Sequence, residues 1–181
     1  MAIQNYYVYL VSSLPALQLG IKPPFTFERF LEISSQYIPS QDAEVLKESS
    51  ISGDYDGRKE KNSALGRWRA FDTSLRNEIV KIRAQHKRID PSKFMREGAL
   101  DEAGFAHIAM TSHRNPSPLE AERALDEARW DALDALEFGH YFDLDKLVIY
   151  AHKLLILERW DRINAADKTR IVEELAWQKN A

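Results

Sequence analysis

The stretch from Glu120 to Trp160 does most to limit what this chain can fold into: two long amphipathic segments meet at a short acidic and aromatic hinge. The first carries Ala121, Leu125, Ala128, Ala132 and Leu136, spaced to share one face of an α-helix. Alanines at that spacing let a neighbouring helix approach closely. The second segment, DLDKLVIYAHKLLILERW, is apolar almost all round. Leu144, Leu147, Val148, Ala151, Leu154 and Leu155 lie on one face, and Ile149, Ile156 and Trp160 on another. A helix of that kind belongs at the centre of a bundle. The punctuation agrees. Ser117 and Glu120 have capping-box spacing, Pro118 suits the first helical position, Gly139 ends or bends the helix, and Asp143 caps the next.

The rest of the chain reads the same way. Residues 3–14 are ambiguous: Tyr6, Tyr7, Val8, Tyr9 and Val11 favour a strand, while the length also permits a short helix. Thr26 is a good cap for a helix reaching Tyr37, with Phe27, Phe30, Leu31 and Ser34 on one side. Pro39 ends it, and Ser40 caps a second. Residues 51–62 form a polar, glycine-containing loop that is the best candidate for a flexible hinge.

A long helix is predicted from about Ser63 to Ile89. Leu65, Trp68, Phe71, Leu75, Ile79, Ile82, His86 and Ile89 form a coiled-coil-like seam until Asp90-Pro91 stops it. A short helix spans about Leu100 to Thr111, and Asn164 caps a last one packed through Ile171, Val172 and Leu175. The predicted fold is all-α: a single domain over 1–181, a bundle of six to seven helices with the long ones near-antiparallel, and at most one short N-terminal strand.

Composition narrows the chemistry. The chain has no cysteine, which excludes disulfides, thiolate catalysis and iron–sulfur clusters. No apolar run reaches the roughly 18 residues that a membrane span needs. The N-terminus lacks the basic start and small-residue cleavage site of a signal peptide. Charge is uneven: residues 58–96 hold twelve Lys and Arg against four Asp and Glu, between two acidic flanks. That segment is either balanced within the fold or offers a basic patch to an acidic partner.

Candidate sites are few. Glu137 and His140 have the i, i+3 spacing of bundle-housed di-iron ligands, but that architecture needs a second Glu-x-x-His and two more glutamates. His86 reads as a core or interface residue on the apolar stripe, His152 as lying near a helix surface, and His107 and His113 fall in a poorly patterned stretch. Glu120, Glu122, Asp126, Glu127, Asp131, Asp134 and Glu137, interleaved with Arg123 and Arg129, read as a solvated face with local ion pairs. Trp68 and Phe71 lie on the packing stripe, so stacking on nucleic acid would compete with burial. No phosphate-binding glycine loop is present. Neither catalytic residues nor cofactors are expected.

Within Glu122–Leu133, the residues Glu122, Leu125, Asp126, Trp130 and Leu133 resemble a helix of the C subunit of the prokaryotic V/A-type ATPases, equivalent to the eukaryotic d subunit. Asp143, Asp145, Leu147 and Leu154 loosely resemble its following helix. The start, Asn5 to Pro15, with Pro23-Pro24 and Phe30-Leu31, is similar to a shorter bacterial family encoded among V-type ATPase genes. The C subunit is longer, with three related helical modules.

The resemblance implies a non-enzymatic cytoplasmic rotor component of an ion-transporting ATPase. Such a component is peripheral to the membrane and couples the central shaft to the membrane rotor ring. It implies no nucleic-acid partner and no direct membrane insertion. Arg76, Arg83 and Lys87 are the expected contacts to an acidic shaft. The alternatives are a helical-bundle metal protein or enzyme using Glu137 and His140, and an ATPase assembly or regulatory factor.

Overall fold

Helix α7, Leu144–Lys179, is the axis on which most of the other helices pack. The computed structural model describes residues 3–49, 51–52, 63–100 and 103–179. Among them are seven α-helices and no β-strand: α1 (Ile3–Ser13), α2 (Phe27–Ser35), α3 (Ser40–Lys47), α4 (Ser63–Lys87), α5 (Ala103–Arg114), α6 (Pro118–Glu137) and α7. A 3-10 turn, Pro91–Phe94, follows α4. The fold is all-α, and the ambiguous N-terminal segment is helical.

The all-round apolar character of α7 is used as its sequence suggests. Leu147, Ile149, Ala151, Leu154 and Ile156 are fully or almost fully buried. Each large aliphatic side chain among them contributes about 1.5–3 kcal/mol by leaving water. On one side α7 meets α1, α2 and α3 through a layer that includes Leu10, Phe30 and Leu46; on the other it meets α4 and α6 through Trp68, Trp130 and Leu133. A smaller cluster of Leu75, Phe105 and Leu125 joins α4, α5 and α6. Polar ties pin the N-terminal layer to the axis. Glu158 accepts the Phe27 amide at 2.7 Å, and the Tyr150 hydroxyl donates to the Pro15 carbonyl at 3.0 Å.

Several ends follow local chemistry. Thr26 accepts the Arg29 amide, Ser117 accepts that of Glu120, and Asp143 accepts that of Lys146. Gly139 adopts φ +88° just beyond α6, a conformation that costs an L side chain strain. α4 ends in a Schellman arrangement, with Ile89 N–H donating to the Ala84 carbonyl and Arg88 N–H to that of Gln85. The left-handed position there is held by Arg88, φ +56°, rather than by glycine.

Other expectations are corrected. Pro39, not Ser40, is the N-cap of α3, with no side-chain cap bond; Ser40 is already inside the helix. Asn164 caps nothing. It is exposed and α7 runs straight through it, because no glycine or proline interrupts the chain after Trp160. The seam on α4 fades toward its C-terminus: Leu75 is buried, Ile79 and Ile82 are half-buried, and His86 and Ile89 are exposed. α5 begins at Ala103 and leaves Leu100 exposed. Residues 53–62 of the expected loop, and the side chains of Ile171, Val172 and Leu175, lie outside the described residues.

Candidate functional site

Where α4, α6 and α7 cross, charged side chains are buried together. Asp72 on α4 is 0 % exposed, and Asp126 and Arg129 on α6 are 1 % and 4 % exposed. Arg129 donates through Nε to Asp72 at 3.0 Å and through Nη1 to Asp126 at 2.7 Å, with Glu122 at 3.5 Å. Arg76 closes on the other oxygen of Asp72 at 2.5 Å and donates to the Ile51 carbonyl at 2.8 Å. From α7, Arg159 reaches Glu122 at 2.5 Å and Asp126 at 3.2 Å, and the Trp160 indole donates to Asp126 at 2.9 Å.

Burial alone would discharge such groups. For Arg129 it pushes toward the neutral form, but Asp72 and Asp126 outweigh it and its pKa ends higher than usual. For Glu122 burial pushes upward, and Arg159 and Arg129 outweigh that, so its pKa ends lower than usual. Arg129 and Glu122 are therefore held in their charged forms by the partners packed against them.

This overturns the reading of the acidic set as a solvated face. Glu120, Glu127, Asp131 and Asp134 are exposed, but Asp126 is buried and Glu122 and Glu137 are half-buried. The apolar face of α6 is correspondingly rotated. Its buried residues are Leu125, Asp126, Arg129, Trp130, Leu133 and Leu136, and the alanines lie at the margin.

Glu137 and His140 do not form a ligand pair. Glu137 is the last residue of α6 and is held by two ammonium groups, Lys146 and Lys153. Burial raises its pKa, but the lysines outweigh it, so it is held as a carboxylate below its ordinary range. His140 lies beyond Gly139, donating through Nδ1 to Asp143 at 2.7 Å, with Asp145 at 3.6 Å. A cation on Glu137 would have to displace or face two lysines. No group of three metal-ligating residues occurs among the described residues.

These side chains rim an open, mostly apolar cleft of 480 Å³ between the end of α1 and the α6–α7 hinge, with Leu14, Leu17, Phe142 and Tyr150 in its walls. Beside it Phe138 is 88 % exposed, and Tyr141 and Phe142 are also exposed.

The histidines fall differently from expectation. His152 is completely buried, not near the surface. Its Nδ1–H donates to the Val148 carbonyl at 2.8 Å, its ring lies 4.9 Å from that of Trp68, and burial lowers its pKa to about 4. His86 is exposed and faces His113 edge-on at 6.1 Å; His107 is exposed on α5.

Of the three expected contact residues, Arg76 is drawn into the buried network, while Arg83 and Lys87 are exposed near the end of α4. No described helix is long and apolar enough to cross a membrane. Compared with known proteins, the chain matches no family model, no curated protein and no solved structure, so the likeness at Glu122–Leu133 rests on those residues alone.

Proposed function

We propose that the protein is a non-enzymatic helical connector that resembles the C subunit of a V/A-type ATPase and links its central shaft to the membrane rotor ring from the cytoplasmic side. The observation that carries this reading is the buried network of Asp72, Arg129, Asp126, Arg159 and Trp160, which fastens α4, α6 and α7 to one another. A part that transmits torque needs long helices that cannot slide or rotate independently. Ion pairs with fixed geometry oppose sliding in a way that non-directional apolar contact does not.

The residues that carry the resemblance are the same ones that pack and lock. Leu125, Trp130 and Leu133 are buried, and Glu122 and Asp126 belong to the network. Leu147 and Leu154, from the second resembling segment, are fully buried on α7.

The test is affinity purification of the full chain, tagged at its own locus, from detergent-solubilised membranes of cells that make it. Stoichiometric recovery of shaft and ring proteins in the intact, active ATPase supports a rotor component. Recovery only in incomplete ATPase particles points to an assembly factor. Recovery of no ATPase component ends the reading.

A further inference from the structure

Beyond α4 the chain doubles back, and this return builds a second feature. Asn77, buried on α4, clamps it: its side-chain amide donates to the Arg96 carbonyl at 2.8 Å, and its side-chain oxygen accepts the Arg96 N–H at 2.9 Å. Ser74 accepts the Leu100 amide at 2.6 Å. The return segment, α4 and the first half of α6 thereby enclose a 260 Å³ cleft whose walls include Arg76, Arg83, Phe94, Arg96, Glu122 and Arg129.

The carboxylate of Glu122 is engaged by Arg159 and Arg129, and Arg76 and Arg129 are engaged by buried aspartates. Arg83 and Arg96 are the surplus. Both are exposed, and among the described residues neither has an ion pair. Lys87 and Arg88, which follow Arg83 on the chain, and Lys93, next to Phe94, are also exposed. The nearby acids are Asp90, which is turned to Ser92, and Glu97. Phe94, in the cleft wall, and its chain neighbour Met95 are exposed apolar side chains.

We propose that this cleft docks an acidic, amphipathic segment of a partner protein, whose carboxylates are gripped by Arg83 and Arg96. Four observations select that occupant. The guanidinium fork matches a carboxylate with two parallel hydrogen bonds. The cleft is smaller than the roughly 300–1,000 Å³ of sites that enclose a cofactor-sized ligand, so it admits one or two side chains. Ile79, Val80 and Phe94 share the walls with Arg83 and Arg96, which matches a segment carrying both acidic and apolar side chains better than a uniformly anionic surface. The Asn77 clamp holds the backbone of Arg96 at the cleft, so only its side chain has to be ordered on binding. The chemistry is the same whatever protein supplies the segment, so the inference stands apart from the ATPase reading.

The test uses the full chain and a fluorescein-labelled helical peptide of about 20 residues, with leucine on one face and glutamate on the others, followed by anisotropy at about 50 and about 300 mM salt. Wild-type protein is expected to bind, more weakly at the higher salt. Arg83→Glu/Arg96→Glu is expected to weaken binding about tenfold or more. Lys22→Glu/Arg67→Glu, an equal charge change elsewhere on the surface, is expected to change it less than about twofold. Arg83→Gln/Arg96→Gln replaces the first variant if thermal melts show that it is misfolded.

Equal loss in both variants, or no wild-type binding, overturns the proposal. So does a result in which phosphatidylserine vesicles, duplex DNA or inorganic phosphate bind through Arg83 and Arg96 and the peptide does not.

Discussion

Arg129→Met deletes the guanidinium at the centre of the buried network while keeping most of the side-chain stem. Asp72, Asp126 and Glu122 each lose a partner, at 3.0, 2.7 and 3.5 Å. The two aspartates are fully buried and cannot rehydrate in place. Arg76 stays on Asp72, and Arg159 and Trp160 stay on Asp126, so neither is left bare. The expected loss therefore falls near the lower end of the roughly 3–5 kcal/mol that breaking a buried pair costs, at about 3 kcal/mol. For a chain of this length that lowers Tm by about 6–12 °C.

Urea unfolding followed by circular dichroism measures the loss directly. Arg29→Met, which removes an exposed pair with Glu32, is the control and should stay within about 0.5 kcal/mol of wild type. If Arg129→Met is as stable as Arg29→Met, the network does not fasten the helices and the connector reasoning fails.

Other consequences follow from single residues. His152 keeps its imidazole neutral in the native state down to about pH 4, whereas the unfolded chain binds that proton below about pH 6.5. Its contribution is flat above pH 6.5, and stability falls by up to about 3 kcal/mol between pH 6.5 and 4. The stability difference between His152→Phe and wild type should vary over that window; a pH-independent difference contradicts the assignment. Glu137 has a depressed carboxyl pKa, so its ion pairs stabilise above the ordinary glutamate range and are lost as pH falls through the lower native value. Glu137→Gln should cost about 1 kcal/mol at neutral pH and nothing in strong acid, as read from urea midpoints. Arg88→Gly should raise stability by about 1 kcal/mol in thermal melts by relieving the left-handed backbone at the end of α4.

What was legible in the sequence is what local chemistry decides. Thr26, Ser117 and Asp143 act as caps because a short polar side chain next to free amides needs nothing from the rest of the fold. The all-round apolar pattern of α7 announced a central helix. The same pattern should also have marked His152 as buried, since no face of that segment was left to water.

The buried network was harder to see. Asp126 and Arg129 are three residues apart, the spacing of an ordinary surface pair, and their partners Asp72 and Arg159 lie on other helices. A signal existed in the neighbours: Asp126 follows Leu125, Arg129 precedes Trp130, and Asp72 follows Phe71 on the packing stripe. Charged residues embedded among packing positions on three long segments are candidates for mutual neutralisation. Asn164 misled in the opposite sense. A residue able to cap a helix does so only where the preceding chain leaves helical geometry, and nothing after Trp160 makes it leave.

Native-state hydrogen exchange on the full chain tests the central claim, that α4, α6 and α7 act as one body. Amides in Thr73–Arg76, Leu125–Leu133 and Leu147–Trp160 should share one opening free energy, equal to that of global unfolding. If α4 or α6 opened at a clearly lower free energy than α7, with its own denaturant dependence, the helices would not be fastened to one another and the connector account would be wrong.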